Sequence, residues 1–113
     1  MNQARKMPKF NKIINGWGLA AQQQTDGTYL LWASDSSPVM KAFDPEKWEH
    51  NRKLRITYED GSSVKLINEL EIIPESEKLP SGISNYCFAN AFYSNRIFMI
   101  DLRTGIVAKW WNV

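Results

Sequence analysis

Leu54-Arg55-Ile56-Thr57-Tyr58-Glu59-Asp60-Gly61 places an apolar side chain at every second position and then ends on a turn pair. A period of two sends alternate side chains to opposite faces of a strand. The segment therefore predicts a β-strand with a dry face of Leu54, Ile56 and Tyr58 and a wet face of Arg55, Thr57 and Glu59. Asp60-Gly61 accepts the positive backbone torsions of a tight hairpin turn. Beyond the turn Val64, Leu66, Leu70 and Ile72 resume the alternation, with Asn68 interrupting it. Glu69 and Glu71 fall on the wet face with Lys65. Without an apolar pocket or a placed partner, two carboxylates on a solvated strand carry little weight for acid-base chemistry.

Towards the N-terminus, Trp17 to Gln24 and Thr28 to Ser34 read as a hairpin around Thr25-Asp26-Gly27. Asp35-Ser36-Ser37-Pro38 breaks the chain before a short run from Val39 to Phe43. At Asp44-Pro45-Glu46 a capping side chain precedes proline and an acid in a first helical turn, so a short helix is expected near Pro45-His50 with Trp48 as its anchor. Towards the C-terminus, Pro74 to Asn85 is the longest candidate loop, and loops of that length often carry function. Tyr86 to Tyr93 fits the period of a strand and that of a helix. Arg96 to Leu102 and Ile106 to Trp111, joined by Arg103-Thr104-Gly105, predict a C-terminal hairpin.

Seven or eight short strands separated by turns predict a mainly β protein, with α+β as the alternative. The expected architecture is a small antiparallel barrel or sandwich with the one short helix. Asp101-Leu102-Arg103-Thr104-Gly105-Ile106-Val107 resembles the strand-turn-strand phrase of propeller blades. It occurs once, no internal repeat is evident, and a closed propeller needs about four or more blades, so the length of 113 residues excludes one.

That length fits a single β-rich domain, residues 13–113, behind a basic and mobile arm, residues 1–12. With 43% hydrophobic and 23% charged residues the composition is globular, outside the disordered and disulfide-scaffold classes. The net charge of +2 is uneven: Arg5, Lys6, Lys9 and Lys12 stand in the arm with no acid, and the remainder is slightly acidic. The longest apolar run, Tyr29 to Ala33, is far short of the roughly 18 residues of a membrane span. Ile13 to Ala21 is too broken by Asn15 and glycines to act as a secretory signal. One cysteine, Cys87, and one histidine, His50, leave no disulfide and no zinc framework. These features imply no cofactor, no metal, no membrane partner and a cytoplasmic setting.

Three non-catalytic functions compete at this level, with a catalytic one as a fourth. Five tryptophans are many for this chain. Adjacent Trp110 and Trp111 must point to opposite faces of a strand, so one stands outside, with Lys109 and Val107 on the Trp111 face. An exposed edge of Val107, Lys109 and Trp111 implies an interaction protein that binds itself, as a homodimer, or another protein. A ligand- or peptide-binding barrel with Tyr29, Trp32, Phe88 and Phe92 lining its mouth is the second reading, with a small-molecule ligand. The third, less favoured, is a single-stranded nucleic-acid binder using Arg5, Lys6, Lys9, Lys12 and exposed aromatics. A catalytic role would fall to Asp35, Asp44, His50 and Cys87, although a cysteine in so apolar a segment is typically a small core residue.

Overall fold

Turn chemistry lays out the strands. Asp26 Oδ1 accepts hydrogen bonds from the Thr28 N–H (2.9 Å) and hydroxyl (2.6 Å), and Asp60 makes the same pair with Ser62. Those bonds hold both carboxyls below the ordinary carboxylate range. The glycine that follows each aspartate sits at φ of 88°, where any other residue is strained. A computed structural model describes residues 18–47, 49–73 and 85–113. The basic arm, Trp17, Trp48 and nearly all of the Pro74 to Asn85 segment lie outside the described residues.

The chain forms eight strands: β1 (Gly18–Gln23), β2 (Tyr29–Ser34), β3 (Val39–Asp44), β4 (Glu49–Arg55), β5 (Ile67–Ile72), β6 (Tyr86–Ala91), β7 (Arg96–Asp101) and β8 (Val107–Asn112). They make two four-stranded antiparallel sheets, each in simple up-and-down order, β1-β2-β3-β4 and β5-β6-β7-β8. The protein is thus mainly β, as the alternation requires. The sheets share one core, in which Trp32, Met40, Ala42 and Leu54 of the first meet Ile67, Cys87, Phe98 and Ile100 of the second. Strand β5 runs against β1 and touches β2. An up-and-down sheet of four strands is also the unit from which propeller blades are built. Two such units in series are a structural repeat that the sequence does not display, and Asp101 to Val107 is the β7–β8 turn of the second.

Several expectations need correction. No helix forms near Pro45-His50. Asp44 does cap, its Oδ1 accepting from the Glu46 N–H at 2.9 Å, but Asp44 already pairs with Glu49, and a loop that short leaves no room for a helical turn. The Leu54 to Tyr58 alternation is not one strand. Leu54 pairs with Met40, Arg55 ends β4 opposite Val39, and the chain then crosses between the sheets. There the Ile56 N–H donates to Pro38 O, the Thr57 N–H to Gly105 O, and the Val107 N–H to Thr57 O. Tyr86 to Ala91 is strand, with Cys87, Ala89 and Ala91 inward. Trp110 and Trp111 do lie on opposite faces, both about half exposed. Val107, however, does not share the Trp111 face. The β7–β8 register shifts between Met99 and Ile100, which turns Val107 into the core at 4% exposure.

Candidate functional site

Three non-glycine residues hold a positive φ: Ser36 at 73°, Leu66 at 61° and Tyr93 at 62°. The left-handed region costs an L-residue about 1–2 kcal/mol, and such strain gathers at functional sites. All three lie at one end of the double sheet, where β2 turns into β3, β5 enters the second sheet and β6 turns into β7. Hydrogen bonds join them: the Leu66 N–H donates to Ser36 O at 2.9 Å, and the Phe92 N–H to Leu66 O at 2.8 Å. The same end exposes Leu19, Leu66, Phe92, Tyr93, Trp110 and Trp111. The Phe92 and Tyr93 rings meet edge to face at 4.3 Å.

At this end β5 is bulged. Ile67 pairs with Ala91 and Leu70 with Ala89, so Asn68 and Glu69 together face the single residue Asn90. Extra residues of this kind re-aim side chains and are common beside active sites. The ladder bonds that the bulge removes are replaced by side chains. Asn90 Oδ1 accepts the Glu69 N–H at 2.9 Å, and Asn68 O accepts the Ser34 hydroxyl at 2.7 Å. Opposite Ser34 in β1 stands Gly18, where a Cβ atom would collide with Asn68 O. Gly18, Ser34 and Asn90 therefore fix the bulge from three strands. Glu69 is left as an exposed carboxylate on a backbone held by these bonds, at the end of the double sheet that also exposes the aromatic and aliphatic side chains. Such a group can accept and return a proton at a substrate held on that rim.

The residues expected from sequence do not converge there. Trp32 is fully buried, its Nε1 donating to Gln22 Oε1 at 2.8 Å with the Arg52 guanidinium 5.3 Å from its ring. Tyr29 is exposed at the opposite end, in a cleft of about 790 Å³ shared with Asp26, Glu46 and Arg52. Phe88 lies on the outer face of the second sheet, stacked on Trp111 at 6.3 Å, and Phe92 is on the strained rim. Tyr29, Trp32, Phe88 and Phe92 thus line no common mouth, because the inner faces of both sheets are filled by the core. Lys109 and Trp111 are exposed on β8. Arg5, Lys6, Lys9 and Lys12 lie outside the described residues.

The proposed catalytic set disperses likewise. Asp35 accepts the Ser37 N–H at 3.0 Å and stands 4.0 Å from Lys41, while Asp44 caps its turn. Burial pushes the Cys87 thiol up to about 12, so it is no nucleophile at neutral pH. His50 belongs to β4 of the other sheet. Among the described residues no cluster of His, Cys, Asp and Glu could hold a metal ion. Sequence reasoning assigned Glu69 to a merely solvated face, read Asn68 only as a break in the alternation, and passed over Ser34 and Asn90. The available signal was the break in alternation at Asn68.

Comparison with known proteins bears on the chain as a whole. No curated protein matches the chain. Among solved structures, the crystal structure of Myxococcus xanthus glutaminyl cyclase superposes with a TM-score of 0.67 and 26% sequence identity. The match covers 87% of this chain and 35% of that one, so the chain spans about a third of the cyclase. The family model of glutamine cyclotransferase matches residues 1–113. This overturns the expectation of a non-catalytic interaction protein, and with it the ligand-binding barrel and the nucleic-acid binder. Edge aromatics and a basic terminus are general surface features that do not discriminate an enzyme from a binding module, whereas the family match runs the full length. The chain belongs to the glutamine cyclotransferase family.

Proposed function

We propose that the chain contributes to the cyclisation of N-terminal glutaminyl residues. In that reaction the α-amino nitrogen attacks the side-chain carboxamide carbon, a carbon–nitrogen bond closes a five-membered lactam, and the amide nitrogen leaves as ammonia. The attacking amine loses one proton and the departing nitrogen gains one, so the reaction needs a group that moves a proton across a short distance with no net change. Among the described residues we assign that role to Glu69. Its carboxylate is exposed, and its backbone is held by Asn90 on one side, with the preceding carbonyl held by Ser34 on the other. A held backbone fixes the point and direction from which the side chain leaves the sheet and so limits the volume its carboxylate sweeps, which matters because proximity and orientation supply much of the rate. The aromatic rim at Phe92 and Tyr93 offers apolar surface against which the methylenes of a glutaminyl side chain can pack.

The single observation that carries this reading is the family match over residues 1–113. The test is ammonia release from a peptide with N-terminal glutamine by the full-length protein, with mass spectrometry confirming loss of one ammonia from the peptide. Turnover above the uncatalysed rate supports the proposal. A folded full-length protein that leaves the peptide intact refutes it.

A further inference from the structure

A second feature of the same end is not accounted for by proton transfer at Glu69. Arg96, the first residue of β7, lies with its guanidinium carbon 4.0 Å from the Trp110 ring centroid. Its Nη1 donates to the Tyr58 hydroxyl at 2.9 Å. Stacking and one hydrogen bond fix the plane of the guanidinium, yet among the described residues it has no carboxylate partner; the ion pairs there are Lys41–Asp35 and Arg103–Asp101. Arg96 opens onto a cleft of about 670 Å³ also lined by Tyr58, Glu59, Lys109 and Trp110. Asp60, at the same cleft, is committed to Ser62. Two cations and two acids leave the cleft close to neutral, so it has no long-range pull on polyanions. Its selectivity resides in the N–H edge of Arg96, a planar fork that matches a carboxylate.

The geometry points to this cleft as a subsite for a carboxylate of the peptide substrate, downstream of the glutaminyl residue. The assignment rests on the cyclase reading for the ligand being a peptide. Glu69 and Arg96 stand on β5 and β7, two strands apart at the same end of one sheet, Glu69 with Asn90 on its outer face and Arg96 with Trp110 on its inner face, so a peptide reaching both passes over the end of the sheet. At about 4.8 Å per strand spacing that is roughly 10 Å. An extended chain advancing about 3.3 Å per residue covers it in about three residues. The carboxylate at the cleft therefore belongs to the fourth position, as an acidic side chain or as the terminus of a short peptide.

Two measurements on the full-length protein separate this assignment from the cyclase reading. Ammonia release from Gln-Ala-Ala-Ala-amide tests the latter alone. The subsite is tested by calorimetric binding of analogues that cannot cyclise: Ala-Ala-Ala-Asp-amide, Ala-Ala-Ala-Ala with a free terminus, and Ala-Ala-Ala-Ala-amide. At least one of the two carboxylate peptides is expected to bind about tenfold more tightly than the neutral amide, a charge-assisted hydrogen bond being of that order. Whichever does so identifies the source of the carboxylate. Arg96→Gln is expected to bring the ratio to about one. Arg96→Lys, which keeps the stem and charge but loses the fork, is expected to retain only part of it. Equal affinities for all three peptides, or a wild-type ratio surviving in both variants, overturns the subsite whether or not ammonia is released.

Discussion

Gly18→Ala tests the bulge architecture most directly. Gly18 has no positive φ, so alanine fits its backbone and the whole effect is steric. The new Cβ would collide with Asn68 O and lie 2.9 Å from Ser34 Oγ, and the Asn68 carbonyl is backbone that cannot rotate away. Strands β1 and β5 must then part by about 1 Å or more. Overpacking of this kind costs about 1–3 kcal/mol. Parting also stretches the Ser34 to Asn68 hydrogen bond, and Ser34 is fully buried. Losing that bond adds about 1 kcal/mol. The sum, about 2–4 kcal/mol, is a large part of the roughly 5–15 kcal/mol typical of a domain. Urea unfolding should show a lower midpoint at unchanged slope. In the full-length protein, ammonia release should fall about a hundredfold, the scale of a 1 Å misplacement of a reacting group. Gly27→Ala is the control: its Cβ meets nothing within 4 Å, and its φ of 88° accounts for a cost of only about 1–2 kcal/mol. Stability within about 0.5 kcal/mol of wild type in Gly18→Ala, the range of neutral surface changes, would refute the reasoning.

Other outcomes follow from the same structure. Glu69→Gln should lower ammonia release by about 10²- to 10⁴-fold with the urea midpoint unchanged, since the side chain is exposed; an active variant removes Glu69 from the proton path. Cys87 should resist a thiol reagent at neutral pH until the protein unfolds. Its thiol is raised by burial from 9.0 to about 12, so the folded state holds the proton more tightly and stability is full below pH 9. Between 9 and 12 stability should fall by about 1.4 kcal/mol per pH unit, and Cys87→Ala should flatten that alkaline decline in urea titrations; an unchanged decline contradicts the burial argument. Trp111→Ala removes the stack on Phe88 and should cost about 0.5–1.5 kcal/mol in urea unfolding, whereas no loss would mean the stacked pair contributes nothing.

The hairpins around Asp26-Gly27 and Thr104-Gly105 are legible from sequence because everything that makes them is local. An aspartate accepts bonds from residues just beyond it, and a glycine takes the positive φ. The expected helix at Pro45 fails because the capping signal at Asp44 is equally a turn signal, and only the pairing of Asp44 with Glu49 decides between them. Likewise Ile56 and Tyr58 alternate perfectly with Leu54 although they leave its sheet, because the crossing segment also needs one dry face. The candidate site is not legible for a stronger reason. Gly18, Ser34, Glu69 and Asn90 come from β1, β2, β5 and β6, one residue from each, so no spacing along the chain encodes their meeting. Alternation placed Glu69 on a wet face correctly and could not reveal that the bulge fixes its backbone.

The crossing segment between β4 and β5 has a mechanical consequence. Ile56 is tied to the β2–β3 turn through Pro38, while Thr57 is tied to both sides of the β7–β8 turn through Gly105 and Val107. Ile56 is itself wholly buried between the sheets. Neither sheet can therefore peel from the other without breaking the staple, and the amides of Ile56, Thr57 and Val107 should exchange with solvent only when the whole pair opens as one cooperative unit.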